Sequence, residues 1–356
     1  MALVPKFSLA AKLIGISLST YRRLHSALGY MAFLQGILHV ILALQAIRFD
    51  LNDRLQKYGF VAAVALGILM LAALPWIRQW AYEISIKTHS LLGLVAIIMT
   101  WIHLKHRYSF NGICLIASIG VYILAACINF TRQIFRNFIT NKPLAIAEVT
   151  KTTDAIELEI KPARPWKVVA GQYVYLRVPG ARFLSFAESH PFNITWWENG
   201  PDGKALSISV LAKVESGFTK DLFGNPNSRY KVLLDGPYGE QKDLGSFDSV
   251  VLIATGIGIT ALLPYAKELI EGRLGQSSRV SLIWELDEEY HEDWISNWMD
   301  QLLEEDKKTL DGEKLNIGRR GATFYGKADL QGILKKEAQI CPGKVLIASE
   351  PLLALW

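Results

Sequence analysis

Four histidines are the residues best placed to do chemistry. His25 and His39 lie in one long apolar stretch, and His89 and His103 lie in another. The members of each pair are 14 residues apart. At about 100° per residue, that spacing falls roughly 40° short of four full turns, so both imidazoles of a pair share one helix face about 21 Å apart along the axis. Two such helices side by side offer two His–His pairs, one toward each membrane surface. Facing imidazoles in a helical bundle suit the two axial positions of a haem iron. Ionisable side chains at membrane depth are costly and usually functional. The alternative is four interfacial or hydrogen-bonded core histidines; the same spacing repeated in two non-adjacent stretches favours ligation. His106, just past Lys105, reads as an exposed loop residue, with competition for the outer ligand position as the alternative.

Those histidines need helices that cross a bilayer, and the charge pattern predicts them. Of the 38 basic and 33 acidic side chains, residues 1–130 hold only eleven and three. An α-helix needs about 20 mostly apolar residues to span the hydrocarbon. Spans are expected at 24–47, 58–77, 86–105 and 108–131, the third counting its flanking Lys87 and Lys105, whose stems can snorkel. Residues 7–18 are too short to span, are interrupted by Lys12, and lack the cleavage site of a secretory signal. Basic residues mark the cytoplasmic side. Arg132, Arg136 and Lys142 therefore put the large polar part in the cytoplasm, with Arg22 and Arg23 at the inner edge. The loop 78–87 is then inside, and the loops 48–57 and 105–112 are outside.

Beyond residue 131 the chain reads as soluble protein in two parts. Short β-rich stretches at 145–149, 155–160, 173–178, 205–210 and 231–234, separated by Gly and Pro, predict a small antiparallel barrel. From Asp248 onward strands alternate with helices: an apolar strand at 250–254, a helical stretch through Glu271, a strand at 280–285, a polar helix at 293–305, a Gly-rich turn and a strand at 344–348. That alternation predicts a parallel α/β sheet. Between its first strand and helix runs Thr255-Gly256-Ile257-Gly258-Ile259-Thr260, a turn in which glycines and helix N–H groups can approach a phosphate. Hydrophobic residues are 51% of the chain, which excludes disorder. Three cysteines without a CxxC spacing exclude a disulfide scaffold and suggest no zinc site. A net charge of +5 is no evidence for nucleic-acid binding.

The His spacing, the barrel and the α/β unit occur in the order seen in fungal ferric reductases, a branch of the transmembrane NADPH oxidase superfamily with a ferredoxin-reductase-like cytosolic half. Thr20-Tyr21-Arg22-Arg23-Leu24-His25 and Lys87-Thr88-His89 resemble the entries to that family's haem helices. Gly171-Gln172-Tyr173 and His190-Pro191-Phe192-Asn193-Ile194 are similar to its flavin motif, and Gly217-Phe218-Thr219 to its flavin-phosphate turn. Gly236-Pro237-Tyr238-Gly239 and the turn 255–260 resemble its nicotinamide-nucleotide segments.

The resemblance implies a multidomain membrane protein: an N-terminal cytoplasmic segment (1–22), a four-helix transmembrane haem bundle (23–131), an antiparallel β-barrel FAD domain (142–244) and a Rossmann-like α/β NADP domain (248–356). It implies haem b ligands at His25, His39, His89 and His103. It implies FAD contacts at His190, Pro191, Phe192, Asn193, Gly217, Phe218 and Thr219, and NADPH contacts at Gly256, Gly258, Thr260 and Arg319. The bland readings of the last two groups are a strand start before proline, a helix cap, and solvated arginines. The implied activity moves electrons from cytosolic NADPH through FAD and two haems to an extracytoplasmic ferric or cupric chelate, supporting metal uptake at the plasma membrane. No catalytic acid or base is expected. Two rivals stand beside it: a superoxide-producing oxidase, and a truncated, catalytically impaired membrane relative. The departures behind the second are Asn193, where the family usually has Ser or Thr; Ser349-Glu350-Pro351, where it has Cys-Gly-Pro or Ser-Gly-Pro; and the absence of about two upstream helices and a C-terminal stretch, which suggests an incomplete gene product.

Overall fold

The computed structural model of the chain describes residues 11, 14–80, 82–104, 109–139, 143–181, 185, 188–215, 217–272, 279–310, 321–325, 329–340 and 343–349. Internal contacts divide the chain into a helical unit over residues 2–131 and a second unit from Arg132 to Trp356.

The first unit is built from α1 (Leu18–Ala46), α2 (Arg54–Ala72), a short α3 (Pro75–Trp80), α4 (Tyr82–His103) and α5 (Phe110–Asn137), the last running on past residue 131. Helix α1 starts at Ser17, whose hydroxyl accepts the Thr20 N–H at 3.1 Å. Helix α2 starts at Asp53, whose carboxylate accepts the Leu55 N–H at 3.0 Å. α1, α2, α4 and α5 are long and apolar enough to cross a membrane. Leu28, Leu34, Leu38 and Leu42 of α1 lie exposed, a surface suited to acyl chains rather than water.

The ends of the spans differ from expectation. The second was expected at 58–77, but α2 runs from Arg54 to Ala72 and the chain restarts as α3 at Pro75. Proline has no N–H and its ring clashes with the carbonyl four residues back, so it breaks the longer helix and opens the next one. Across that break the Ser85 hydroxyl of α4 donates to the Ala72 carbonyl at 2.7 Å. α2 packs along α4; among the described residues, α1 and α4 make no comparable backbone contact.

The second unit begins with a curled, seven-stranded antiparallel sheet. Its strands are β1 (Ala145–Lys151), β2 (Ala155–Lys161), β3 (Tyr173–Arg177), β4 (His190–Asn193), β5 (Trp196–Asn199), β6 (Ala205–Lys213) and β7 (Arg229–Tyr238), with α6 (Phe218–Gly224) before the last. The order across the sheet is β4-β3-β7-β1-β2-β6-β5. Residues alternate along the strands, so that Ile156, Leu158, Ile160, Val174, Leu176, Val232 and Leu234 fill one core. All five expected strands are present. β4 begins where a strand start before Pro191 was one of the readings, and β5 was not anticipated: each is four residues long, and Pro191 removes a ladder donor, which only an edge strand such as β4 tolerates.

A parallel four-stranded sheet follows, with β8 (Ser249–Thr255), β9 (Arg279–Leu286), β10 (Gly321–Tyr325) and β11 (Val345–Ser349) in the order β10-β9-β8-β11. Helices α7 (Ile259–Ile270), α8 (Ser296–Leu310) and α9 (Leu330–Ile340) connect them. Val250, Leu252, Leu262, Leu263, Leu269 and Trp284 belong to its core, and β8 is apolar from Val250 to Ala254, as expected of a strand covered on both faces. The helix expected over 293–305 is a 3-10 turn, Glu289–Trp294, followed by α8. β10 and α9 occupy a stretch expected to hold only a Gly-rich turn.

Candidate functional site

Helix α1 carries His25 and His39, and α4 carries His89 and His103. The His25 and His89 rings face each other with centroids 6.2 Å apart at an interplanar angle of 63°. His39 and His103 repeat the arrangement at 6.1 Å and 77°. Two imidazoles bound through nitrogen to one metal ion, each bond about 2.0 Å long and each ring nitrogen roughly 1.1 Å from its centroid, stand about 6.2 Å apart. Both pairs fit that separation, on two helices whose backbones leave room between them. The His103 Nδ1 lies 2.7 Å from the Leu55 carbonyl. A carbonyl only accepts, so Nδ1 carries the proton and Nε2 keeps the lone pair a metal would take. The donor chemistry and spacing therefore fit two bis-imidazole haems. His106 lies outside the described residues.

The predicted flavin residues converge around edge strand β4. Pro191 stands opposite Tyr175, Phe192 opposite Val174 and Asn193 opposite Tyr173 on β3. The His190 ring stacks on Phe218 of α6 at 4.2 Å and 17°, and Phe192 lies 6.2 Å from the same ring. His190 Nε2 is 3.7 Å from the buried Glu188 carboxylate. Gly217 has φ +64°, a left-handed conformation that favours glycine at this turn. The Thr219 hydroxyl accepts the Glu215 N–H at 3.2 Å, so it serves as a local turn cap.

Sequence reasoning missed the groups beside this strand. Arg177 Nε and Thr195 Oγ1 are buried without a hydrogen-bond partner among the described residues, as expected of atoms that complete a polar ligand's site. Burial pulls the Arg177 guanidinium below its ordinary range, and Asp235 and Tyr238 pull it back up. Tyr173, Tyr175 and Tyr238 interlock with ring centroids 5.7 to 5.9 Å apart. The Tyr238 hydroxyl donates to Asp235 at 2.6 Å, and burial followed by that carboxylate raises its pKa. The period-two spacing of Tyr173 and Tyr175 was the available signal, since it puts both rings on one face of β3.

The predicted nucleotide turn sits at the carboxyl end of β8, whose neighbours are β9 on one side and β11 on the other. A parallel sheet opens its ligand crevice where the strand order reverses in this way. Gly256 has φ +48°, and its carbonyl accepts the Trp284 Nε1–H at 2.9 Å. Gly258 leads into α7, and Thr260 is buried in the first turn. Arg319 lies outside the described residues, as do Glu350 and Pro351; Ser349 ends β11.

Three family models match in series: a ferric reductase like transmembrane component over residues 1–100, an FAD-binding domain over 139–242 and a ferric reductase NAD binding domain over 247–317. The chain is 27% identical over 326 residues to a probable cell surface ferric reductase of Aspergillus oryzae, covering 83% of this chain and 42% of that one. It is 26% identical over 299 residues to a ferric/cupric reductase transmembrane component of Saccharomyces cerevisiae, covering 75% and 45%. A ferric reductase transmembrane component of the same yeast matches at 24% over 270 residues, covering 72% and 36%. The chain thus spans less than half the length of these curated relatives.

Proposed function

We propose, from the premise that the chain belongs to the ferric reductase-like superfamily, that it carries electrons from cytosolic NADPH across the plasma membrane to a ferric or cupric chelate outside, in support of metal uptake. The observation that carries this reading is the pair of facing His–His contacts, 6.2 and 6.1 Å between centroids, on two apolar helices long enough to span a bilayer. When bound, FAD accepts hydride and haem passes single electrons, so the cofactors supply the redox chemistry.

The chain's own share is to hold, orient and insulate. His25 with His89 would grip the haem nearer the cytoplasm, and His39 with His103 the haem nearer the outside. Two haems are needed because one cofactor does not bridge about 30 Å of hydrocarbon. Pro191, Phe192 and Asn193 would border the flavin ring from an edge strand, with His190 and Phe218 stacked behind them. Gly217 and Thr219 would receive its pyrophosphate, and Arg177, with one buried donor still to satisfy, would face a polar part of the same ligand. Gly256, Gly258 and the N–H of Thr260 would receive the nucleotide phosphates at the start of α7. The basic residues Arg22, Arg23, Arg132 and Arg136 support a cytoplasmic side for the inner pair and the flavin unit.

Absorption spectra of membranes containing the chain, taken before and after NADPH, test the reading. Low-spin b-type bands should sharpen on NADPH addition and relax when a ferric chelate follows. Membranes without haem absorbance, or haem that NADPH leaves oxidised, would refute it. Oxygen uptake in place of chelate reduction would reassign the acceptor.

A further inference from the structure

We propose that Leu55 and Gly59, one turn apart on α2, form the seat that fixes the orientation and tautomer of His103; this rests on the haem reading above. The Leu55 carbonyl lies 2.7 Å from His103 Nδ1. The same ring fills the space beside Gly59: a Cβ built there would stand 2.6 Å from both His103 Cε1 and Nδ1. Real Cβ atoms do not come that close, so any other residue at 59 displaces the imidazole or the helix. Glycine inside a helix is less favourable than alanine, and at position 59 the ring leaves no room for a side chain. Gly67, on the same helix, has nothing within 4 Å of its own Cβ position.

The loop before α2 steadies this seat. The Asp50 N–H donates to Gln56 Oε1 at 2.9 Å, and Gln56 Nε2 donates to Asp53 Oδ2 at 3.0 Å, which pins the first turn of α2 where Leu55 lies. A carbonyl on Nδ1–H raises the basicity of Nε2 and stops ring rotation, the usual work of a partner behind a metal-bound histidine. Leu55 and Gly59 are thus positioning residues for the outer ligand: they touch the imidazole and leave the metal's side of the ring free.

Gly59→Ala, with Gly67→Ala as its control, tests the seat in the full chain by haem content per chain, electron paramagnetic resonance and redox titration. Wild type and Gly67→Ala should carry about two low-spin haems, one for each His pair. Gly59→Ala should lose the low-spin signal or shift the midpoint potential of one haem only. If Gly59→Ala matches wild type, or if Gly67→Ala fails equally, the seat is refuted while the relay stands. Wild type without bound haem refutes the relay itself. Where Gly59→Ala does not accumulate, it is combined with His103→Ala. Accumulation restored to the level of His103→Ala alone supports a clash with the ring, and no restoration overturns the proposal.

Discussion

The carboxylate of Asp154, in the turn between β1 and β2, accepts the Trp294 Nε1–H at 3.0 Å, joining the curled sheet to the segment that leads into α8. Its other oxygen lies 3.2 Å from His291 Nε2, and the His291 ring stacks on Trp294 at 4.0 Å. Trp294 and His291 are both buried, so removing the carboxylate strands two polar nitrogens. An unsatisfied buried donor costs about 1–3 kcal/mol. Asp154→Ala should therefore speed hydrogen exchange in β9 and α8, whereas Asp154→Asn, which still accepts from Trp294, should restore most of the protection. Equal exchange in wild type and Asp154→Ala would mean the contact holds nothing together.

His39→Ala should leave one haem of about two, because only the pair with His103 is broken. The inner pair should still redden on NADPH addition while chelate reduction falls to background. His25→Ala should do the opposite, leaving a haem that NADPH cannot reduce. Retention of both haems in either variant, measured as pyridine haemochrome per chain, would mean that other ligands serve.

Gly256→Ala tests the nucleotide turn. A side chain in the left-handed region costs about 1–2 kcal/mol, which the turn must absorb by moving its N–H groups. Since about 1.4 kcal/mol is a factor of ten, NADPH should bind roughly tenfold more weakly. Flavin reduction by dithionite should be unchanged. An unaltered NADPH concentration dependence would remove Gly256 from the site.

The parts of this molecule legible in its sequence are those written in local chemistry. Uncharged runs of bilayer length predicted four spans, and the repeated interval of 14 residues predicted which imidazoles would meet. The break at Pro75 was available from the proline's missing N–H, but the surrounding apolar run concealed it. β5 escaped because a four-residue strand has too few residues to show a period, and at β4 the sequence offered only a strand start before Pro191, not its edge position. The contact of Gly59 with His103 and the burial of Arg177 Nε are long-range events. No periodicity marks them, since each depends on which element packs beside it.

Glu157 on β2 makes the stability of the second unit depend on pH. Burial raises its pKa above the ordinary 4.5, the Ser209 hydroxyl opposes this, and the neighbouring Glu159 adds to it. A carboxyl with a raised folded-state pKa is more stable protonated in the fold than in the open chain. Its contribution is therefore fully present below pH 4.5 and is lost as pH climbs through the folded-state value, leaving a desolvated charge at neutral pH. Glu157→Gln keeps the shape and an acceptor for Ser209 without that charge. At pH 7 it should raise the melting temperature by about 1–3 °C, and at pH 4 the two proteins should melt together. Calorimetry or thermofluorimetry across that range decides the matter. A variant that melts lower at pH 7 would show that the charge is compensated by a partner, and an equal gain at both pH values would trace the effect to packing.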